Sequence, residues 1–256
     1  MTVLCEDCIY RNQKGTFMIN FGKLKTLGVL GGLGPQATDF FYNGVIEHTD
    51  ASCDQEHIDM IILSHATTPD RTKAIMTGDD RELIESLVKD VQTLEKAGAA
   101  NIAIPCNTSH YFYEQMQAAV HIPIIHMIRE SVRYAQGKYE GVKRIGIMGT
   151  DGTIQTGIYD RECERAGVTA VHPSTARQQD VMHIIYDEIK AGERGSRHLF
   201  NGVVDELTKE LGCEVVILAC TELSVYKHFH NVPECCLDAM DVLIRESILR
   251  SGAVYQ

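Results

Sequence analysis

No stretch of this 256-residue sequence approaches the roughly 20 uncharged apolar residues that a helix needs to cross a membrane. Positive charge is also scarce, because 24 Lys and Arg stand against 35 Asp and Glu, giving a net charge of -11. Phosphate backbones are bound by clustered Lys and Arg, so this balance argues against a broad nucleic-acid surface. We therefore expect no membrane and no nucleic acid as partner, and a small molecule as the ligand.

The start of the chain lacks the basic segment followed by an apolar one that marks a signal peptide. No linker rich in Pro, Gly or Ser and no low-complexity tract interrupts the sequence. Nine cysteines, an odd number, lie mostly within apolar segments, which is typical of reduced thiols and not of a disulfide framework. We therefore expect a globular protein in the cytoplasm.

From Lys25 onward, short apolar runs alternate with helical patterns. The pattern predicts strands at 26–30, 60–63, 102–104, 122–125, 144–148 and 215–218, and helices from residue 35, at 81–96 and at 240–250. This order of strand and helix is typical of parallel sheets covered by helices.

The sequence also contains an internal repeat. At one constant offset, Gly28, Gly31, Gly34 and Thr38 recur as Gly146, Gly149, Gly152 and Thr156. Further along each half, an apolar run ends in a cysteine, 78 residues after the first glycine in one half and 74 in the other. We predict an α/β fold of two pseudo-symmetric domains with mainly parallel sheets flanked by helices. The first domain would comprise 25–122 with 225–256, the second 123–224, and 1–24 would be an N-terminal extension.

The repeated cysteines are Cys106 and Cys220, and both follow predicted strands. Ligands in such sheets bind beyond the carboxyl ends of the strands, so two facing copies would place the cysteines across one interdomain cleft. Racemisation of an amino acid removes a proton from one face of Cα and returns one to the other, which two opposed bases achieve without moving. Neighbouring groups can shift a thiol, whose reference pKa is about 8.5, until one cysteine is thiolate and the other thiol. The pattern therefore favours an acid and base pair of cysteines.

Small polar residues follow each cysteine: Asn107 and Thr108 in the first half, Thr221 in the second, with Thr153 in the repeated glycine turn. Backbone N–H groups and hydroxyls at a helix N-terminus could hold the substrate's α-carboxylate and stabilise a developing enediolate. A helix N-terminus would also favour thiolate at the neighbouring cysteine.

Two cations occupy nearly corresponding places in the halves. Arg71 lies in a polar loop after the second strand, and Lys190 lies close to the equivalent position in the second repeat. In a cleft they would bind a second acidic group of the substrate, and the alternative for each is a solvated surface charge.

Seven segments, in order along the chain, resemble the aspartate/glutamate racemase family. They are 31–38 (GGLGPQAT), 54–57 (DQEH), 69–72 (PDRT), 105–110 (PCNTSH), 152–153 (GT), 180–182 (DVM) with Lys190, and 219–222 (ACTE). The resemblance runs from about Lys25 to the C-terminus. It implies a racemase that uses neither pyridoxal phosphate nor a metal, with two similar α/β domains, an active site in the cleft between them and commonly a homodimer.

Carried over residue by residue, the resemblance makes Cys106 and Cys220 the base and the acid. It makes Arg71 and Lys190 the basic pair that aspartate-type members use for the side-chain carboxylate and for cysteine activation. It implies substrate contacts at Asn107, Thr108, Thr153, Thr221 and Glu222, and we add Gly34, because a glycine turn lets the backbone approach a small substrate.

The resemblance is weaker to the classical glutamate racemases, in which a histidine tends to follow the second Cys–Thr pair. Here that residue is Glu222, so we predict racemisation of aspartate, with glutamate as a further substrate. Because both cysteines are present, we expect turnover in both directions.

Three other site interpretations were weighed. Residues 32–37 fit a dinucleotide fingerprint, but no acidic residue closes the second strand. Cys5 and Cys8 could be half of a zinc site, yet no second ligand pair has the required spacing. His110 follows Cys106 by four residues, as in a Cys–His hydrolase, but that function leaves Cys220 unexplained; His110 would otherwise orient polar groups or pack in a helix.

Other functions also remain open. A related two-cysteine enzyme, such as a maleate cis–trans isomerase or a hydantoin racemase, would use the same cysteines on another substrate. The basic pair Arg71 and Lys190 favours an acidic amino acid over a hydantoin. A catalytically silent amino-acid-binding protein is the alternative from another class, and the two cysteines at strand ends count against it.

Overall fold

The computed structural model describes residues 9–11, 17–19 and 24–256. Cys5 and Cys8, the considered half of a zinc site, lie outside the described residues, as does most of the predicted extension 1–24. Within that extension, Ile9–Arg11 (β1) and Phe17–Ile19 (β2) pair as antiparallel strands.

The alternation of strands and helices predicted from Lys25 onward is confirmed. The remaining strands are β3 (Leu27–Gly31), β4 (Met60–Ser64), β5 (Asn101–Ala103), β6 (Arg144–Met148), β7 (Thr169–Val171), β8 (Val215–Leu218) and β9 (Cys236–Asp238). The α-helices are α1 (Pro35–His48), α2 (Arg71–Thr77), α3 (Arg81–Lys96), α4 (Tyr113–Ala118), α5 (Met127–Lys138), α6 (Asp151–Gln155), α7 (Ile158–Arg165), α8 (Thr175–Met182), α9 (Arg197–Asp205), α10 (Thr221–Phe229) and α11 (Ala239–Ser251). Asp54–Glu56 and Thr108–Phe112 are 3₁₀-helical, and His183–Ile189 and Glu206–Glu210 are π-helical.

The two larger sheets repeat one strand order. In the first, β3 lies between β4 and β5, and in the second, β6 lies between β7 and β8, with β9 outside β8. All neighbouring strands in both sheets are parallel. Each half therefore builds its sheet around the first strand of its repeat, and the predicted α/β fold of two similar units is confirmed.

Strands β3 and β8 are buried on both faces. Val215 and Ile217 of β8 enter a core shared by the two halves, whereas Val216 and Leu218 enter a core of the second half. Strand β3 divides its residues in the same way between the shared core and a core of the first half. Since side chains alternate across a strand, a strand covered on both sides reads as a continuous apolar run. Each fully buried side chain of this size contributes about 1.5–3 kcal/mol.

Helices α1, α5 and α11 supply much of the shared core. Helix α11 contacts both α1 and α5. At the first of these contacts a Cβ added to Gly44 would lie 2.4 Å from Cδ1 of Ile244, so any other residue there would force the Ile244 side chain to shift. On the outer face, α3 buries Leu83, Leu87 and Val91 at helical spacing, as the predicted helix 81–96 requires.

The segment 225–256, which the division into domains put with the first unit, contacts both halves. Its strand β9 pairs with β8 in the second sheet. Its helix α11 contacts α1 of the first half, and Tyr255 bridges Thr49, so the division stays a prediction. The predicted strand 122–125 is reduced to a single bridge between Ile102 and Ile124, because the chain turns at once into α5. Among the described residues, no helix has the length and apolar character needed to cross a membrane.

Candidate active site

The two predicted catalytic cysteines follow equivalent strands in the same register. In the first sheet Gly28 lies opposite Ile102, and in the second sheet Gly146 lies opposite Val216. Cys106 comes four residues after Ile102, and Cys220 comes four residues after Val216. The repeat seen in the sequence is therefore a repeat of strand pairing, and it brings both cysteines to the carboxyl ends of the sheets.

Cys106 and Cys220 line one cavity and are each 7% exposed. The volume of the cavity is about 30 Å³. Its other lining residues are Leu33, Asp70, Arg71, Thr72, Asn107, Thr108, Thr150, Tyr186, Lys190, Thr221 and Glu222. Both halves contribute to this wall, so the cavity lies where the interdomain cleft was predicted.

Cys220 is held by a carboxylate of its own segment. It is the N-cap residue of α10, and its thiol donates a hydrogen bond of 2.8 Å to Oε2 of Glu222. Burial, followed by the negative charge of Glu222, raises the pKa of the Cys220 thiol well above its ordinary value. The expected preference for thiolate at a helix N-terminus is therefore outweighed at Cys220, which is a thiol at neutral pH.

Lys190 neutralises that carboxylate. Its ammonium binds Oε1 of Glu222, and it also lies 5.4 Å from the centre of the Tyr186 ring. Burial alone would raise the pKa of Glu222, but the charge of Lys190 and the hydrogen bonds from Cys220 and Lys190 outweigh it and lower the pKa. Burial likewise opposes protonation of Lys190, and Glu222 overcomes it and raises the pKa of the ammonium. Both Lys190 and Glu222 are therefore charged.

The backbone of Cys106 is held on both sides, since its N–H donates to the Ile104 oxygen at 2.7 Å and its carbonyl group accepts from His110. Nδ1 of His110 lies 2.9 Å from the Cys106 oxygen, and Nε2 of His110 accepts from the backbone N–H of Met127 at 3.1 Å. These two bonds fix the tautomer with hydrogen on Nδ1, and burial lowers the pKa of His110 so that the ring is neutral. His110 thus orients the backbone that carries Cys106, which counts against a Cys–His hydrolase and agrees with the orienting role considered for it.

Asn107 lines the cavity and carries a buried side-chain donor without a partner among the described residues. Its Oδ1 accepts a 2.6 Å hydrogen bond from the Tyr159 hydroxyl of α7, while its buried Nδ2 has no hydrogen-bond partner in the part of the chain that the structure describes. A buried amide that lacks a partner costs about 1–3 kcal/mol, so a ligand that accepts from this nitrogen recovers that energy. Asn107 is 3% exposed and lines the cavity.

Three threonine hydroxyls from the two halves meet at the cavity. Thr108 from the first half lies 3.1 Å from Thr153 and 3.3 Å from Thr150, both of the second half. Thr150 also caps α6 by accepting from the backbone N–H of Thr153. Thr108 and Thr150 line the cavity, whereas Thr153 supports them from behind.

Arg71 stands at the first position of α2, after its N-cap Asp70. Its guanidinium donates to the carbonyl oxygens of Leu33 at 2.5 Å, Pro69 at 3.2 Å and Thr68 at 3.5 Å. A guanidinium has five N–H donors, so two are left for a ligand. The contacts hold Arg71 in the cavity wall.

Eight of the ten residues predicted for the site line this cavity, and two do not. Thr153 lies behind it, and Gly34 is the N-cap of α1, next to the lining residue Leu33. Five lining residues were not predicted from the sequence: Leu33, Asp70, Thr72, Thr150 and Tyr186. Tyr186 precedes Lys190 by four residues, a helical spacing that could have placed the two on one face.

The glycine turn has a structural role. Gly32 has a φ of +83°, and a Cβ there would lie 2.4 Å from the backbone nitrogen of His65. The turn therefore packs against the chain leaving β4, and this close approach explains Gly32, the first glycine of the pattern that resembled a dinucleotide fingerprint. No cluster of three or more metal-ligating side chains occurs among the described residues.

Known proteins agree with this architecture. The aspartate racemase of Picrophilus torridus superimposes with a TM-score of 0.77 at 24% identity, covering 91% of this chain and 96% of that one. The aspartate racemase homologue of Pyrococcus horikoshii gives 0.73 at 23% identity, over 90% of this chain and 100% of that one. These likenesses show the fold.

Sequence comparison shows the family as well as the fold. The broad specificity amino-acid racemase RacX of Bacillus subtilis is 28% identical over 204 residues, covering 77% of this chain and 86% of that protein. The sequence model of one family, the Asp/Glu/Hydantoin racemases, matches residues 30–246 and so spans most of the chain. The resemblance stated from the ordered motifs is thereby confirmed, and the chain belongs to the Asp/Glu/Hydantoin racemase family.

Proposed function

We propose that this protein racemises aspartate, without pyridoxal phosphate, by passing the α-proton between Cys106 and Cys220. The observation that carries the proposal is the position of the two thiols, which follow equivalent strands of the two halves and line one cavity. Membership of an amino-acid racemase family supports the same reaction.

In the proposed step, one cysteine enters as thiolate and removes the proton from Cα, becoming a thiol. The electron pair left on Cα delocalises into the α-carboxylate as an enediolate. The other cysteine, entering as thiol, then protonates the opposite face of Cα and becomes a thiolate. The enzyme thus ends with the protons of its two cysteines exchanged, and the reverse reaction starts from that form.

The α-carboxylate is the group on which negative charge develops. The free Nδ2 of Asn107 and the hydroxyls of Thr108 and Thr221 are the donors at the cavity wall. Because Asn107 is held by Tyr159 and Thr108 by Thr153, these donors are oriented before the reaction begins. Donors fixed in this way stabilise developing charge without a reorganisation cost.

We assign the side-chain carboxylate of aspartate to Arg71 and Lys190, as the resemblance implies. Arg71 keeps two unused N–H donors, which suffices for one carboxylate. Lys190 is bound to Glu222, so it would share its ammonium between two carboxylates.

A cavity of about 30 Å³ has room for water molecules but not for an amino acid. Substrate entry therefore requires part of the wall to move. The contact between α2 and α6 closes one side, where Gly152 lies against Thr72. We propose that α2 moves away from α6 when substrate enters.

Broad specificity toward amino acids is the second candidate. The charges of the wall balance, because Asp70 and Glu222 offset Arg71 and Lys190. A balanced wall does not by itself select a dianionic substrate, and the similar protein of Bacillus subtilis is a broad specificity racemase. The resemblance further implies a homodimer, which light scattering on the purified protein would test.

Chiral chromatography after incubation with L-aspartate, L-glutamate and L-alanine tests the proposal. We expect D-aspartate to form fastest, with no added cofactor and after dialysis against chelator. Cys106→Ser and Cys220→Ser should each reduce turnover by at least 100-fold, with Cys163→Ser, which changes a cysteine of the core, as control. Equal rates on all three substrates would favour broad specificity. Activity near that of the wild-type protein in either cysteine variant would contradict the two-base mechanism.

A further inference from the structure

We propose that Glu222 is a positioning residue that keeps the Cys220 thiol protonated as the proton donor. The resting enzyme then has one defined acid, Cys220, and one defined base, Cys106. The inference rests on the proposed function and deepens it, since the pseudo-symmetric sequence leaves the two cysteines equivalent. It also changes the role predicted for Glu222, from a substrate contact to a contact with the catalytic thiol.

The geometry around Cys220 carries the inference. Glu222 uses both carboxylate oxygens inside the site: Oε2 accepts from the Cys220 thiol at 2.8 Å, and Oε1 binds the Lys190 ammonium. Its side chain is 13% exposed, so water competes weakly for these oxygens. A carboxylate in this place stabilises S–H and repels S⁻, because it is an acceptor and carries negative charge.

The first half has no equivalent arrangement. Two residues after Cys106 stands Thr108, where the second half has Glu222, and the hydroxyl of Thr108 is engaged with Thr150 and Thr153. The fold repeats, but the group that faces the thiol does not. The asymmetry between acid and base therefore lies in one residue of each half.

Other charged and titratable groups also face Cys220. Lys190 and Tyr186 approach from the π-helical segment and its end, Arg71 and Asp70 from the start of α2, and Tyr159 from α7. Burial raises the pKa of both Tyr186 and Tyr159, so neither phenol carries charge at neutral pH. Among these groups, Glu222 and Lys190 are the charges that shift the pKa of the Cys220 thiol, Glu222 upward and Lys190 downward.

Turnover then has a defined proton balance. The Cys106 thiolate takes the α-proton, and the Cys220 thiol gives its proton to the opposite face. Before the next turnover in the same direction, Cys106 loses its proton to water and Cys220 regains one from water. Glu222 keeps its charge throughout, and it favours the return to the form in which Cys220 is protonated.

The experiment measures each thiol without requiring turnover. Wild-type protein, Glu222→Gln and Glu222→Asp are treated with iodoacetamide between pH 6 and 10, and alkylation of each cysteine is followed by peptide mass spectrometry. Glu188→Gln is the matched control, since it removes a negative charge from the π-helical segment and has its own partner, the backbone N–H of Ser196. Thermal unfolding of every variant establishes that it is folded.

We expect Glu222→Gln to increase the alkylation rate of Cys220 at pH 7.5 at least tenfold and to leave the rate of Cys106 within twofold. The alkaline limb of the pH profile of kcat/KM should move to lower pH by at least about one unit, because the acid now loses its proton earlier. Glu222→Asp should restore part of the shift, and Glu188→Gln should show none.

Unchanged alkylation of Cys220 in folded Glu222→Gln would overturn the inference, and so would an equal increase in Glu188→Gln. Absence of racemisation in the wild-type protein would instead overturn the proposed function. In that case the alkylation rates alone still decide whether Glu222 holds the thiol.

Discussion

Removal of one hydroxyl, in Tyr159→Phe, tests whether the orientation of Asn107 matters. Tyr159 is 1% exposed, so phenylalanine fits the same space, and the change deletes the 2.6 Å hydrogen bond to Oδ1 of Asn107. Asn107 then has no partner for its oxygen as well as none for Nδ2. The amide is free to rotate, and its donor no longer points reliably at the substrate.

The magnitude follows from this one bond. A neutral hydrogen bond contributes about 1 kcal/mol, and a buried acceptor left without a partner costs about 1–3 kcal/mol. We therefore expect the free energy of unfolding to fall by about 1–3 kcal/mol. If the same bond orients the donor to the transition state, kcat/KM falls about fivefold or more.

Initial rates of racemisation and urea denaturation measure the two effects. Tyr139→Phe is the matched control, because it deletes a 2.8 Å hydrogen bond to the exposed carbonyl of Glu234, and neither residue lines the cavity. Water can replace that bond, so kcat/KM should not change. A folded Tyr159→Phe protein with kcat/KM within twofold of wild type would refute the role assigned to Asn107.

Three further variants test other parts of the account. In Gly152→Ala the new methyl lies about 2.9 Å from Oγ1 of Thr72, so kcat/KM measured by steady-state assay should fall about tenfold. Gly137→Ala is the control, because its methyl has no atom within 4 Å, and its kcat/KM should match that of the wild-type protein. Arg71→Ala should lower kcat/KM at least tenfold more for aspartate than for alanine, and equal losses would remove Arg71 from side-chain recognition. Burial raises the pKa of Asp238 to about 7. Between about pH 4 and 7 the folded state therefore binds more protons than the unfolded state. The free energy of unfolding falls as pH rises through this range, by up to about 1.4 kcal/mol per pH unit. Asp238→Asn should flatten that slope in urea denaturation at several pH values, and an unchanged slope would contradict the assignment.

Much of the fold could be predicted from the sequence, because strands buried on both faces and amphipathic helices leave strong local patterns. The helix 81–96 and the strand 144–148 match the structure residue for residue. The repeat predicted equivalent positions for the two cysteines, and Gly28 and Gly146 do stand at equivalent pairing positions in the two sheets.

The remaining features depend on contacts between distant segments. Strand β9 follows Pro233 as a short run, and only its pairing with β8 assigns it to the second sheet. The hydrogen bond between Tyr159 and Asn107 joins residues from opposite halves, so no local sequence pattern predicts it. Glu222 was predicted as a substrate contact, and its contact with the Cys220 thiol depends on side-chain geometry that a sequence does not specify.

Incorporation of solvent deuterium tests the two-base mechanism most directly. Wild-type protein is incubated with L-aspartate in D₂O, the reaction is stopped within the first few per cent of conversion, and the enantiomers are separated and analysed by proton NMR and mass spectrometry. The account predicts that the D-aspartate formed carries deuterium at Cα while the remaining L-aspartate keeps its proton, because Cys106 and Cys220 remove and deliver different hydrons. Product that retains the original proton, or equal deuteration of both enantiomers, would contradict it and indicate a single base.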